Sequence, residues 1–175
     1  MQATETVAFG TVASPVGDIL VAVTETGLVA THFRDTDQAR ARIVARLGLA
    51  EIEDQARTAQ VRAELAAYFA GTLRTFTASL DWRLTSAAQR LVLSTLHETV
   101  QFGRVVTYGE LAKRSGSTIP PRGIGSIMGS NPIPIVVPCH RVVAGSGLGG
   151  FSGGAGVESK QALLALEGQL TTALW

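Results

Sequence analysis

The apolar pattern of this chain changes period at Trp82, and that change limits the folds open to it more than any other feature. Before Trp82 the β-prone runs are short. Residues 7–12, 19–23 and 28–33 are separated by Ser14-Pro15-Val16-Gly17 and Glu25-Thr26-Gly27, which predicts a meander of hairpins. Residues 36–47 then predict a helix with Ala39, Ile43, Val44 and Leu47 along one side. Residues 58–70 predict a second, with Gly71 in the position of a C-terminal stop. Residues 75–82 alternate, with Phe76, Ala78, Leu80 and Trp82 set against Thr75, Thr77, Ser79 and Asp81. A period of two predicts a half-buried strand. His32 lies in this part and reads as structural.

After Trp82 the pattern becomes helical. Ser86-Ala87-Ala88-Gln89 is a capping box, and Ala88, Leu91, Val92, Thr95, Leu96 and Val100 follow at helical spacing, with Gly103 as a stop. Thr107-Tyr108-Gly109-Glu110 is a second capping box and opens a short helix to Ser115. Pro121 suits the first turn of the next helix, which runs to about Ser130 and is stopped by Asn131-Pro132-Ile133-Pro134. Two short helices joined by a tight turn form a helix-turn-helix pattern. Gly123, Gly125 and Gly129 lie inside the second, each costing roughly 1 kcal/mol against Ala. Either that helix is irregular, or its bare backbone admits something narrow, such as the edges of a DNA minor groove. Residues 157–170 predict a last helix with Leu163, Leu164, Leu166 and Leu170 on its apolar positions. The expected fold class is α+β. Residues 1–84 form a small N-terminal domain with an antiparallel sheet. Residues 85–175 form a mostly helical, winged-helix-like domain.

Composition narrows the classes. At 175 residues with 46% hydrophobic, the chain can build a core. No run of 18 apolar residues occurs, and Gln2, Ala3, Thr4 and Glu5 do not resemble a secretory signal. Cys139 is the single cysteine, so neither an internal disulfide nor a cysteine-pair zinc site is available. A cytoplasmic protein without metal or cofactor is expected. The net charge of +1 hides an asymmetry. Residues 1–81 balance at −3, whereas residues 82–141 carry seven basic and two acidic side chains. That segment is either a solvated surface or an electrostatic footprint for phosphate.

One stretch carries chemistry. Residues 135–137 predict a buried strand leading into Pro138-Cys139-His140-Arg141-Val142. A thiolate is the reactive form of cysteine, and a nearby base or cation favours it. Neighbours in an extended chain point opposite ways, so His140 need not touch the sulfur, and a bridging water can relay the proton. Glu167 falls on or beside the apolar face of the last helix, where a carboxylate needs a partner, and His140 is the partner on offer. The alternatives are an inert buried cysteine and a Glu167 that meets solvent. Residues 145–154 hold six glycines and can fold closely over a flat ligand.

Pro138-Cys139-His140-Arg141-Val142, preceded by Asn131-Pro132-Ile133-Pro134 and followed by Gly150-Phe151-Ser152-Gly153-Gly154, resembles the O6-alkylguanine-DNA alkyltransferases over residues 86–170. The resemblance implies DNA repair by direct reversal. An alkyl group moves irreversibly from O6-alkylguanine, flipped out of double-stranded DNA, onto Cys139. It further implies that His140 and Glu167 activate the cysteine and that Tyr108 donates to the purine ring. Arg122 enters the base stack, with Gly123 and Ser126 alongside the minor groove, and Asn131 braces the site. The carbonyls of Cys139 and Val142 accept from the guanine amino group, the Ser152 N–H reaches O6, and Phe151 walls the pocket. The partner is double-stranded DNA, bound by a monomer with cooperativity left open. Departures from the pattern are Leu91-Val92-Leu93-Ser94, where many relatives carry an aromatic residue, Gly129-Ser130 in place of a more basic pair, and Phe151 for tyrosine. Two other classes compete: a non-catalytic damage-signalling module of the same fold, and a Cys–His hydrolase, which leaves the helix-turn-helix without a role.

Overall fold

The computed structural model describes residues 3–169, which divide into two compact units, one up to Leu84 and one from Thr85. The class is mixed α+β, with an N-terminal sheet and a helical C-terminal part.

The first unit is built on strands β1 (Thr6–Val12), β2 (Ile19–Val23), β3 (Leu28–His32) and β4 (Ala50–Ile52), in the order β3-β2-β1-β4. The first three form the expected antiparallel meander, with Ala8 opposite Val23 and Val12 opposite Ile19. The strand β4 runs parallel to β1 and was not legible as a strand, because three residues give no period to read. Helix α1 (Asp37–Leu47) is capped by Thr36, whose hydroxyl accepts from the Ala39 N–H, and ends at Gly48 with φ 66°. Its Ala39 and Ile43 pack with Val7, Phe9, Leu20, Ala22, Val29 and Ala30 of the sheet. Helix α2 (Gln55–Phe69) starts three residues before the expected Thr58, because Asp54 caps it at the Arg57 N–H. It packs against β1 and β2. A Cβ on Gly10 of β1 would lie 2.8 Å from Thr58 Oγ1 and from Arg62 Cδ, so this glycine sets how closely α2 approaches.

The strand expected over residues 75–82 does not form. The exposure alternates, but the backbone makes only one isolated bridge, Leu28 to Leu80. The Glu64 carboxylate accepts the N–H groups of Thr77 and Ala78, which a ladder would have needed. Asp81, expected on the polar face, is buried and accepts from the Thr24 hydroxyl at 2.6 Å.

The second unit contains α3 (Ala87–Thr99), β5 (Val106–Thr107), α4 (Tyr108–Arg114), α5 (Pro121–Gly129), a 3-10 turn (Cys139–Arg141), β6 (Val142–Val143) and α6 (Val157–Leu166). Both capping boxes form, Ser86 with Gln89 and Thr107 with Glu110. Helix α3 ends at Thr99 rather than near Gly103, which makes a left-handed turn beyond it. Its apolar face is Val92, Leu93 and Leu96; Leu91 is 47% exposed. Helix α6 stops at Leu166, and Leu170 lies outside the described residues. Among the described residues no helix is long and apolar enough to cross a membrane.

Residues 135–137 are not a strand either. They form a buried turn in which Pro134 bridges Val137 and Ile135 takes φ 74°. Pro132, Pro134 and Pro138 remove three ladder donors within seven residues, so no regular pairing can start there. The chain therefore enters Cys139 as a 3-10 turn, and the extended geometry expected for Cys139 and His140 does not apply.

Candidate active site

Cys139 is placed by its own backbone and by Asn131. Its N–H donates to Val137 O at 2.8 Å, and the Arg141 N–H donates to Pro138 O at 2.9 Å, which closes the 3-10 turn. Asn131, just beyond α5, donates from Nδ2 to Val137 O at 2.9 Å and accepts the Ile133 N–H on Oδ1 at 3.0 Å. Its side chain also hydrogen-bonds the sulfur. Asn131 thus ties the end of α5 to the segment that leads into Cys139.

His140 and Glu167 meet. His140 Nε2 lies 2.8 Å from Glu167 Oε1, both side chains fully buried, and Glu167 sits at the C-cap of α6. His140 Nδ1 is buried without a protein partner among the described residues. Glu167 also accepts from Arg141, at 2.9 Å from Nε to Oε2 and 2.9 Å from Nη2 to Oε1. Burial opposes its charge, but the bonds to His140 and Arg141 outweigh it and hold the carboxyl at about 2.

Burial also pushes the Cys139 thiol up, against the opposing pull of Asn131 and Lys160, and it pushes the His140 imidazole down. Both shifts favour the uncharged forms, a thiol beside a neutral imidazole. Tyr108, the first residue of α4, is half-buried, and its hydroxyl receives a backbone hydrogen bond from Gly150. Burial and the neighbouring Cys139 raise its pKa, so it remains an O–H donor.

Two residues of the site were not singled out from the sequence. One is Arg141. The other is Lys160, fully buried, whose Nζ donates to Val142 O (2.7 Å), Leu148 O (2.6 Å) and Gly150 O (3.2 Å). It clasps the glycine-rich loop to β6, and desolvation lowers its pKa to about 8. The signal was present, because Lys160 precedes Leu163 by three and Leu164 by four and so shares their apolar face. Val142 O, expected to serve the guanine amino group, already accepts from Lys160, and Cys139 O accepts the Val142 N–H. Each carbonyl keeps a second lone pair.

The remaining expected residues lie around this cluster. Phe151 is partly buried and Ser152 exposed in the glycine-rich loop. Arg122 is exposed at the second position of α5, and its guanidinium makes no hydrogen bond or ion pair among the described residues. Ser126 is exposed one turn on. Gly123 is needed for packing, since a Cβ there would sit 2.5 Å from Ile119 Cγ2. A Cβ at Gly125 would meet Tyr108 Cε1 at an ordinary 3.8 Å, and of the three only Gly129 faces open space.

Comparison with known proteins gives a consistent family. Residues 7–82 match the model of the 6-O-methylguanine DNA methyltransferase ribonuclease-like domain, and residues 87–169 that of the DNA binding domain of the same family. A methylated-DNA–protein-cysteine methyltransferase of Methanosarcina acetivorans is 38% identical over 89% of this chain and 94% of its own length. One from Mycolicibacterium paratuberculosis is 48% identical over 59% of this chain, and the match spans only 61% of that relative's length. A crystal structure of Mycobacterium tuberculosis OGT in complex with DNA superposes with a TM-score of 0.75 at 32% identity, covering 95% of this chain and 96% of that one. The chain belongs to the 6-O-methylguanine DNA methyltransferase family.

Proposed function

We propose that this protein is a DNA-repair methyltransferase that binds double-stranded DNA and moves the alkyl group of an O6-alkylguanine irreversibly onto Cys139. The observation that carries the reading is the buried Cys139–His140–Glu167 arrangement, in which Glu167 holds His140 Nε2 and leaves Nδ1 free to receive a proton.

A base stacked in a duplex hides its O6 substituent, so the guanine must be everted, at a cost of a few kcal/mol. Arg122, exposed and uncommitted on α5, fills the gap in the stack, with Gly123 and Ser126 beside the minor groove. The everted purine lies beside Tyr108 and the glycine-rich loop, walled by Phe151. The free lone pairs of Cys139 O and Val142 O take its amino group, and the Ser152 N–H takes O6.

The thiol proton passes through a bridging water to His140 Nδ1, with Glu167 stabilising the imidazolium. The sulfur attacks the alkyl carbon. The carbon–O6 bond breaks and its electron pair stays on the purine, where the Tyr108 hydroxyl and the Ser152 N–H stabilise the developing charge. The purine gains the proton the sulfur lost. The product is a thioether with no carbonyl for water to attack, so each molecule acts once.

Incubation with a duplex carrying labelled O6-methylguanine is expected to place about one equivalent of label on the protein, and Cys139→Ala is expected to take none. Damaged-duplex binding without transfer by the parent chain would instead indicate a signalling module.

A further inference from the structure

Glu167 serves two buried partners at once. His140 Nε2 and Arg141 Nη2 share Oε1, at 2.8 and 2.9 Å, while Arg141 Nε holds Oε2 at 2.9 Å. Arg141 Nη1 donates to Val100 O at 2.7 Å, so the guanidinium is fixed from its other side by the end of α3. A fully buried carboxylate beside an imidazole normally draws a proton onto the ring. An imidazolium has no lone pair at Nδ1 and cannot receive a proton from the thiol.

We propose that Arg141 is a positioning residue of the alkyl-transfer site: by occupying both oxygens of Glu167 it cancels the carboxylate's charge, and so keeps His140 a neutral base with Nδ1 free. The inference rests on the alkyl-transfer reading above. Among the described residues, the charged and titratable groups around His140 are Glu167 and Lys160 from α6 and its C-cap, with Arg141 and Cys139 from its own turn; Tyr108 of α4 interacts with Cys139. Burial disfavours the imidazolium most, Glu167 favours it, and Arg141 and Lys160 oppose it. Removing the Arg141 charge leaves Lys160, which contacts backbone carbonyls, as the one cation opposing the pull of Glu167 on the His140 proton. The proton on His140 is then held to higher pH.

The test is the pH profile of the single-turnover alkylation rate, measured with the free base O6-benzylguanine so that DNA binding does not enter. The acid limb reports protonation of His140. With Arg141→Gln the limb is expected to move to higher pH by about one unit or more, the scale of losing a cation in direct contact. With Arg141→Lys, which keeps the charge and loses the two-point grip, the limb stays near that of the parent while the rate falls. A rate lowered equally at every pH by Arg141→Gln, or a lysine variant that shifts as the glutamine variant does, overturns the proposal. If Arg141→Gln does not fold, an imidazole 15N titration of His140 compares the parent with Arg141→citrulline, which keeps the shape of the side chain and loses its charge. A His140 that takes its proton at higher pH in the citrulline protein supports the proposal, and titration at the same pH in both overturns it. A parent chain whose Cys139 is never alkylated refutes the transfer reading instead, and the 15N titration still reports on Arg141.

Discussion

At the scale of single residues, the site depends on side chains that give up their freedom to hold backbone. Lys160 spends all three of its donors on carbonyls of the glycine-rich loop and β6. Arg141 does the same for Glu167 and Val100. Gly149 is the complementary case. Its φ is 73°, and a Cβ there would lie 2.7 Å from the Tyr108 hydroxyl and 3.0 Å from Cε2. The loop can close over α4 only because this position is bare. Gly149→Ala is therefore expected to displace either the loop or the Tyr108 ring, and to cost more than about 1 kcal/mol because the backbone is left-handed there. A melting temperature and an alkylation rate unchanged from the parent would contradict this account of the loop.

At the scale of elements, local chemistry near helix starts decided more than hydrophobicity did. Ser86 and Gln89 satisfy each other's backbone N–H groups, at 3.2 and 2.8 Å, and start α3 where the capping box places it. Ser86→Ala is expected to destabilise the second unit by about 1 kcal/mol, measured by chemical denaturation, without altering the alkylated product. The same logic explains the two strands that do not form. Thr77 and Ala78 have the alternation of a strand, but Glu64 had already claimed their N–H groups from α2, thirteen residues or more away. Residues 135–137 are as apolar as a buried strand, yet the flanking prolines leave them a turn.

At the scale of the whole molecule, charge and chemistry are segregated along the chain. The first 81 residues carry a balance of −3, and the basic stretch of residues 82–141 contains both helices of the helix-turn-helix and ends at the 3-10 turn that carries Cys139. Every residue of the proposed chemistry belongs to the second unit. If the basic stretch serves DNA, with Arg122 filling the space of an everted base, Arg122→Ala has a selective effect. Transfer from duplex DNA is expected to fall by about tenfold or more, on the scale of the extrusion cost, while transfer from free O6-benzylguanine is nearly unchanged. Equal losses on the two substrates would remove Arg122 from the flipping step.

The amino-acid sequence alone determined the change of pattern near residue 84, the capping-box starts of α3 and α4, and Cys139 as the proposed nucleophile. Those features rest on contacts within four residues or on a contiguous string such as Pro138-Cys139-His140-Arg141. It also pointed to the His140–Glu167 pair, because a carboxylate on an apolar face demands a partner. Only the tertiary structure decided that Arg141 shares that carboxylate, that Lys160 pins the loop, and that Gly149 makes room for Tyr108. It also decided that burial pushes the Cys139 thiol pKa up. These are consequences of burial and of contacts between residues 10 to 41 positions apart. Desolvation acts on a group's whole surroundings, which no local pattern in the chain encodes.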